Sequence, residues 1–404
     1  MSALHSPLQQ YGLITGNYWA FTLSDGALRM LILLHFYTLG YSPWQLALLF
    51  VFYELFGVVT NLIGGWLGAV VGLNRIMNIG LGLQVLALAL LLAPSSWLSV
   101  PWVMAAQALS GIAKDLNKMS AKSAIKLLVP EDQQGRLYRW VALLTGSKNA
   151  LKGAGFFMGG ALLAAVGFSA AIALMAVVLA VVWLASMLLL QRGLGRSAAK
   201  PPFRQLLSKS PTVNALAAAR LLLFAARDVW FVVALPVFLA QSLGWGHAAT
   251  GAFMAAWVVG YGVVQALAPT VTSRGSGRAP DGRSAVRLAL AVALVPAVMA
   301  VALSVQLSAL LVVAGLTAFA LVFALNSAVH SYLIVHAAQR EAVSVDVGFY
   351  YMANAIGRLL GTLLSGALFA AYGQGVAGLI ACLVASALLL LAAAGCSLRL
   401  PRVA

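Results

Sequence analysis

Charge is scarce in this 404-residue sequence: Asp, Glu, Lys and Arg make up 8% of it, hydrophobic residues 62%, and the mean hydropathy is +0.97. That scarcity excludes a water-soluble globule, because so few polar side chains cannot cover a chain of this length. Acidic residues are scarcer still, nine against 25 Lys and Arg, leaving a formal net charge of +16. Such a surplus suits nucleic acid only where basic residues gather in a soluble domain or arm with interleaved aromatics, and no such segment occurs here. Cysteine is nearly absent. Cys382 and Cys396 lie in the last apolar run, about 21 Å apart along a helix, too far to form an intrachain disulfide. The sequence also lacks a metal-ligand cluster, a nucleotide-binding glycine loop and a paired nucleophile and base, so neither an enzyme nor a bound cofactor is expected. No basic stretch with a short apolar core and a small-residue cleavage site precedes the first apolar run, which is therefore expected to act as the insertion signal.

What the sequence has in abundance is apolar runs long enough to cross a hydrocarbon core, which takes about 20 residues. Twelve can be laid out, at 11–39, 45–70, 75–93, 99–128, 136–166, 169–190, 211–240, 247–271, 286–305, 308–337, 346–372 and 375–395. All are expected to be helices, since a backbone in lipid must satisfy its own hydrogen bonds. The connections after odd-numbered spans carry no charge. The even-numbered ones, together with the span ends and the carboxyl-terminal tail, carry Arg75, Arg136, Arg139, Arg192, Arg196, Lys200, Arg204, Lys209, Arg274, Arg278, Arg283, Arg287, Arg340, Arg399 and Arg402. By the positive-inside rule both termini are expected in the cytoplasm.

Residues 191–210 form the longest polar connection and divide the spans six and six. The expected architecture is an all-α membrane protein with twelve transmembrane helices in two six-helix bundles, residues 1–190 and 211–404, joined by a cytoplasmic linker. An internal echo agrees with a duplication: Asn149-Ala150 precedes Lys152 and Gly160-Ala161-Leu162 in span 5, and Asn354-Ala355 precedes Arg358 and Gly366-Ala367-Leu368 in span 11. The chain is expected to be a monomer.

The informative residues are the ionisable groups inside the spans. Nine are basic (Arg29, Lys114, Lys118, Lys122, Lys148, Lys152, Arg220, Arg227 and Arg358) and four acidic (Asp25, Glu54, Asp115 and Asp228). A charge at mid-bilayer costs about 2.5–3.5 kcal/mol on the lenient insertion scale, so these groups must face a wet cavity or one another. Four carboxylates cannot neutralise nine cations, and the remaining positive potential suits a small anionic substrate. The nine cations are the expected substrate-binding residues. Lys114, Lys118, Lys122 and Lys126 recur every four residues and should form a gently winding ladder of about 18 Å. Its last member is expected to snorkel to the headgroups.

Asp115 can reach Lys118 or Lys122. Asp25 and Arg29, four apart, can neutralise each other. Arg29 in span 1 and Arg220 or Arg227 in span 7 come from equivalent helices and offer forks for the two ends of an anion. Asp25, Asp115 and Asp228 are the candidates for proton coupling. His35, His330 and His336 are read as packing residues, with a proton relay as the alternative.

Residues 64–75 (GGWLGAVVGLNR) resemble the loop signature of the major facilitator superfamily, with Ala69 and Val70 where Asp-Arg is usual; Gly155–Gly160 (GFFMGG) is similar to that superfamily's antiporter motif, with Phe156 replacing proline. Residues 15–29 (TGNYWAFTLSDGALR), 110–122 (SGIAKDLNKMSAK) and 226–236 (ARDVWFVVALP) resemble the ArsJ family of organoarsenical efflux permeases. The resemblance runs over nearly the whole chain. It implies export of 1-arseno-3-phosphoglycerate, with glyceraldehyde-3-phosphate dehydrogenase as the functional partner that makes it, and hence arsenate resistance. An organophosphate carrier or phosphate antiporter is the alternative, and an intramembrane enzyme on anionic lipid the remaining class.

Overall fold

The computed structural model describes residues 6–40, 43–191, 193–197, 206, 210–273 and 279–401. Among these residues there is no strand. There are thirteen α-helices: α1 (Pro7–Thr38), α2 (Pro43–Val71), α3 (Leu73–Leu90), α4 (Val100–Leu128), α5 (Gln134–Val166), α6 (Phe168–Leu189), α7 (Pro211–Phe231), α8 (Ala234–Ser242), α9 (His247–Thr272), α10 (Gly282–Val305), α11 (Ala309–Ala337), α12 (Val343–Ala371) and α13 (Val376–Ser397). Arg192, Lys200, Arg204, Lys209, Arg274, Arg278 and Arg402, and most of the expected linker, lie outside the described residues.

Twelve expected spans become thirteen helices because span 7 is interrupted at Val232 and Val233. Pro236 has no N–H to offer the carbonyl of Val232, and its ring crowds that turn. The amide of Ala234, freed by the break, donates to Ser365 Oγ at 3.1 Å. Elsewhere local signals set the helix starts. Ser210 caps α7, its hydroxyl accepting from Val213 N ahead of Pro211, and Asp281 with Ser284 closes a capping box on α10.

Ten helical stretches are long and apolar enough to cross a membrane by length and composition, and α1 and α4 are not among them. Those two carry Asp25 and Arg29, and Lys114, Asp115, Lys118 and Lys122. Asp25, Asp115 and Lys122 are buried inside protein, which is how such helices avoid presenting charge to lipid.

The described residues of Met1–Trp140, Ser147–Ser208 and Ala338–Met352 make one compact unit, and those of Val141–Gly146, Lys209–Ala337 and Ala353–Ala404 a second. In the first unit α4 packs on α1, α2 and α3, and α6 on α1 and α3; in the second, α13 packs on α7 and α10, and α11 on α9 and α10. The loop lacking the usual Asp-Arg is held through its backbone instead. Ser197 N donates to Ala69 O and Leu73 N to Leu194 O, both at 2.8 Å.

Glycines let particular helix pairs meet backbone to backbone. A Cβ on Gly26 of α1 would lie 2.7 Å from Lys152 O of α5, and one on Gly155 would lie 2.7 Å from Leu23 O. In the second unit a Cβ on Gly357 would sit 2.2 Å from Leu221 O, and on Gly361 2.6 Å from Ala225 O. Gly26→Val and Gly357→Val are each expected to cost about 1–3 kcal/mol by overpacking. Lower midpoints in detergent thermal scans would show it, and unchanged midpoints would contradict these contacts.

Candidate functional site

In the first unit four helices contribute charge. Asp25 and Arg29 sit on α1, Tyr53 and Glu54 on α2, the lysine ladder on α4, and Lys148 and Lys152 on α5. Arg29 does not pair with Asp25 as its spacing suggested. Its Nη2 donates to Glu54 Oε1 at 2.7 Å, while Asp25 Oδ1 accepts from the Tyr53 hydroxyl at 2.6 Å. Glu54 and Tyr53, on the neighbouring helix α2, take the two groups instead.

Lys114 Nζ lies 3.7 Å from Glu54 Oε2 and 3.7 Å from Asp115 Oδ2, and Asp115 also accepts from Lys118. Two cations share the Tyr53 ring, the Arg29 guanidinium at 4.0 Å and the Lys114 amine at 3.9 Å from its centroid. Lys118 and Lys122 share the ring of Tyr351, at 4.8 and 4.7 Å from its centroid, and Lys122 donates to the Tyr351 hydroxyl.

The ladder is therefore a chain of shared partners running Glu54, Lys114, Asp115, Lys118, Tyr351, Lys122. Its Glu54 end is the accessible one, with 43% of that side chain exposed against 2% of Asp115. Lys126 departs from expectation. It is buried, so its stem is enclosed by protein and does not extend along a lipid-facing surface.

Lys152 makes no hydrogen bond or ion pair among the described residues, although Arg29, Asp25, Lys148 and Glu54 are near enough to exert their charges on it. Buried polar atoms without a hydrogen-bond partner among the described residues include Arg29 Nε, Tyr18 Oη and Ser24 Oγ, all on α1. Each such donor costs about 1–3 kcal/mol unless something accepts from it.

The second unit has a smaller arrangement of the same kind. Arg220 Nε donates to Asn354 Oδ1 at 2.9 Å and its Nη1 to Ser327 Oγ at 3.0 Å, and Gln265 Nε2 reaches the same hydroxyl at 3.0 Å. Asp228, wholly buried, accepts from Arg227 at 2.6 Å on one oxygen and from Arg358 Nε at 3.2 Å on the other. Phe224 takes Arg220 at 4.0 Å and Arg227 at 4.7 Å, consistent with the shared face their seven-residue spacing implies. The echo between spans 5 and 11 thus has a structural counterpart. In each unit a carboxylate of the first helix (Asp25, Asp228) lies near a cation of the fifth (Lys152, Arg358).

The histidines sit on aromatic rings, His35 stacking on Phe168 at 4.0 Å and His336 on Tyr332 at 5.5 Å, while His330 is buried with Nδ1 unpartnered among the described residues. Residues that spacing did not single out are Tyr53, Tyr351, Ser327 and Gln265, and Glu54 was legible only as one more intramembrane charge. A tyrosine directly before an intramembrane glutamate was the one available signal.

The family model described as Major Facilitator Superfamily matches residues 14–334. The chain belongs to the Major Facilitator Superfamily. It is accordingly a multi-pass membrane transporter, and no catalytic family is indicated. Among solved structures of this fold, the human organic anion transporter MFSD10 (TETRAN) is 15% identical, with 96% of this chain and 99% of that chain covered and a TM-score of 0.75. The E. coli fucose:proton symporter FucP is 13% identical over 99% of this chain and 100% of that one, with a TM-score of 0.75. A bacterial homologue of the iron transporter ferroportin in its outward-facing state is 13% identical over 96% and 98%, with a TM-score of 0.74. At these identities the likeness extends to the fold alone. No curated protein matches the sequence.

Proposed function

We propose that this transporter exports a small organic polyanion carrying a phosphate and a second anionic group, and specifically 1-arseno-3-phosphoglycerate, so conferring arsenate resistance. The observation that carries the reading is the imbalance in the first unit. Six cations (Arg29, Lys114, Lys118, Lys122, Lys148 and Lys152) accompany three carboxylates (Asp25, Glu54 and Asp115), and orphan donors lie on the same helices. A ligand with several acceptor oxygens relieves both defects, since charge-assisted hydrogen bonds to phosphate are short and strong. Lysine suits a path because its ammonium is a point charge on a flexible stem, whereas Arg29, Arg220, Arg227 and Arg358 offer planar forks.

The resemblance of residues 15–29, 110–122 and 226–236 to organoarsenical permeases selects the arsenic-bearing ester among phosphorylated metabolites. Glyceraldehyde-3-phosphate dehydrogenase is then the partner that supplies the substrate. Residues 1–190 and 211–404 act as the two halves of a monomeric carrier in the bacterial inner membrane, with both termini in the cytoplasm.

The membrane potential drives export on this reading, because expelling an anion from a negative interior gains about 2.3 kcal/mol per charge per 100 mV. Asp25, Asp115 and Asp228 then serve as counter-ions. Collapsing the pH gradient alone should leave export unchanged, and slowing under that treatment would assign one of them to proton coupling.

Everted vesicles test the substrate. Arsenic should accumulate only when the dehydrogenase, its triose phosphate, its nicotinamide cofactor and arsenate are supplied together. Cells carrying the protein and the dehydrogenase should resist arsenate but not arsenite, whose neutral hydroxide offers nothing to a basic site. Equal uptake with the dehydrogenase omitted would refute the substrate, and uptake of 3-phosphoglycerate in its place would favour an organophosphate carrier.

A further inference from the structure

Apart from the charged helices, the amino-terminal ends of α1 and α5 border a cavity of about 530 Å³ lined by Leu8, Gln133, Gly135, Arg136, Arg139 and Trp140. Trp140 is its fixed wall. The Tyr11 ring stacks on it at 4.1 Å, the Tyr11 hydroxyl donates to its carbonyl at 3.1 Å, and the Arg136 guanidinium lies 4.4 Å over the indole. Arg136 is further held by Gln133 Oε1, to which its Nη1 donates at 3.1 Å. Arg139 is exposed and makes no hydrogen bond or ion pair among the described residues. Leu8, which shares the lining, is 60% exposed, an apolar side chain beside a basic cavity.

We propose that this cavity is a binding site for the phosphate of an anionic phospholipid, independent of the transported substrate. Two guanidinium forks, one stacked in place and one unengaged, match the geometry of a phosphodiester. The indole belongs at headgroup depth, where an aromatic ring has one apolar and one wet side. Leu8 then lies where the first acyl carbons leave the headgroup. A free phosphate ion would use the arginines but leave Leu8 and the edge of Trp140 against water, so the lipid accounts for more of the lining.

Gly135 supplies a clean test, because a Cβ placed there meets nothing within 4 Å. Gly135→Glu puts a carboxylate into the cavity without displacing a neighbour, at a first-turn position where an acidic residue favours the helix. Full-length protein would be reconstituted in nanodiscs of phosphatidylcholine with and without phosphatidylglycerol, and lipid retention read by native mass spectrometry beside the thermal midpoint. Phosphatidylglycerol should be retained by the wild type and raise its midpoint. Arg139→Gln should weaken retention about fivefold, the loss expected for one basic residue near a membrane surface. Gly135→Glu should abolish the response while its midpoint in phosphatidylcholine stays at or above that of the wild type. Undiminished retention by both variants would overturn the proposal, and so would an equal stabilisation of the wild type by inorganic phosphate in phosphatidylcholine alone.

Discussion

The paired substitution Lys118→Gln with Lys152→Gln is expected to reduce transport by about a hundredfold or more while folded protein remains in the membrane. A charge-assisted hydrogen bond is worth about 1.5–3 kcal/mol, and each 1.4 kcal/mol is a factor of ten in an equilibrium constant, so if both amines grip one anion, as proposed, losing them multiplies two large factors. The fold should tolerate the change. Lys152, half-buried, has no hydrogen bond or ion pair among the described residues, so glutamine there removes a cation without stranding a partner. Lys118 does have a partner, Asp115, but that carboxylate keeps Lys114 at 3.7 Å. Arg75→Gln, on an exposed residue at the start of α3, is the control and should transport normally. Wild-type flux through the double variant, at matched protein level in everted vesicles, would sink the anion-path reading.

The span pattern was legible because it depends only on runs of apolar residues, and the lysine ladder because it depends on spacing within one helix. Pairing was legible only where both partners share a helix and face each other. Asp115 with Lys118 came through, three residues apart, as did the common face of Arg220 and Arg227. Asp25 with Arg29 failed under the same kind of rule, because Glu54 and Tyr53 on α2 compete for those groups, and no spacing within α1 encodes what α2 presents. Tyr351 is the extreme case: it meets Lys122 from 229 positions away. Lys126 failed for a related reason. Snorkelling assumes a lipid-facing stem, and only tertiary packing decides whether the end of α4 is lipid-facing or enclosed. The break in span 7 went unread although Pro236 is its local signal, and the hydroxyl that satisfies the opened turn belongs to Ser365, far along the chain.

Stability should be most sensitive at Asp228. That carboxylate is wholly buried and accepts from Arg227 on one oxygen and Arg358 on the other, so Asp228→Asn leaves two guanidinium groups of the second unit without their counter-charge. Breaking a buried ion pair by removing one partner typically costs about 3–5 kcal/mol, chiefly the penalty of the charge left behind. A large fall in the thermal midpoint is expected, with most protein lost on detergent extraction. Asp132→Asn, on an exposed residue between α4 and α5, should change nothing measurable.

If stranded charge is the cause, removing it should restore stability. Arg227→Gln in the Asp228→Asn background should recover a large share of the loss, a non-additivity expected for residues in one network. Arg358 separates structure from function, because 38% of its side chain is accessible and its charge can be solvated without a partner. Arg358→Gln alone should therefore leave the midpoint nearly intact but lower transport, as expected of a cation that serves the substrate rather than the fold. An Asp228→Asn protein as stable as wild type, or one that Arg227→Gln fails to rescue, would show that this carboxylate does not hold the arginines in place.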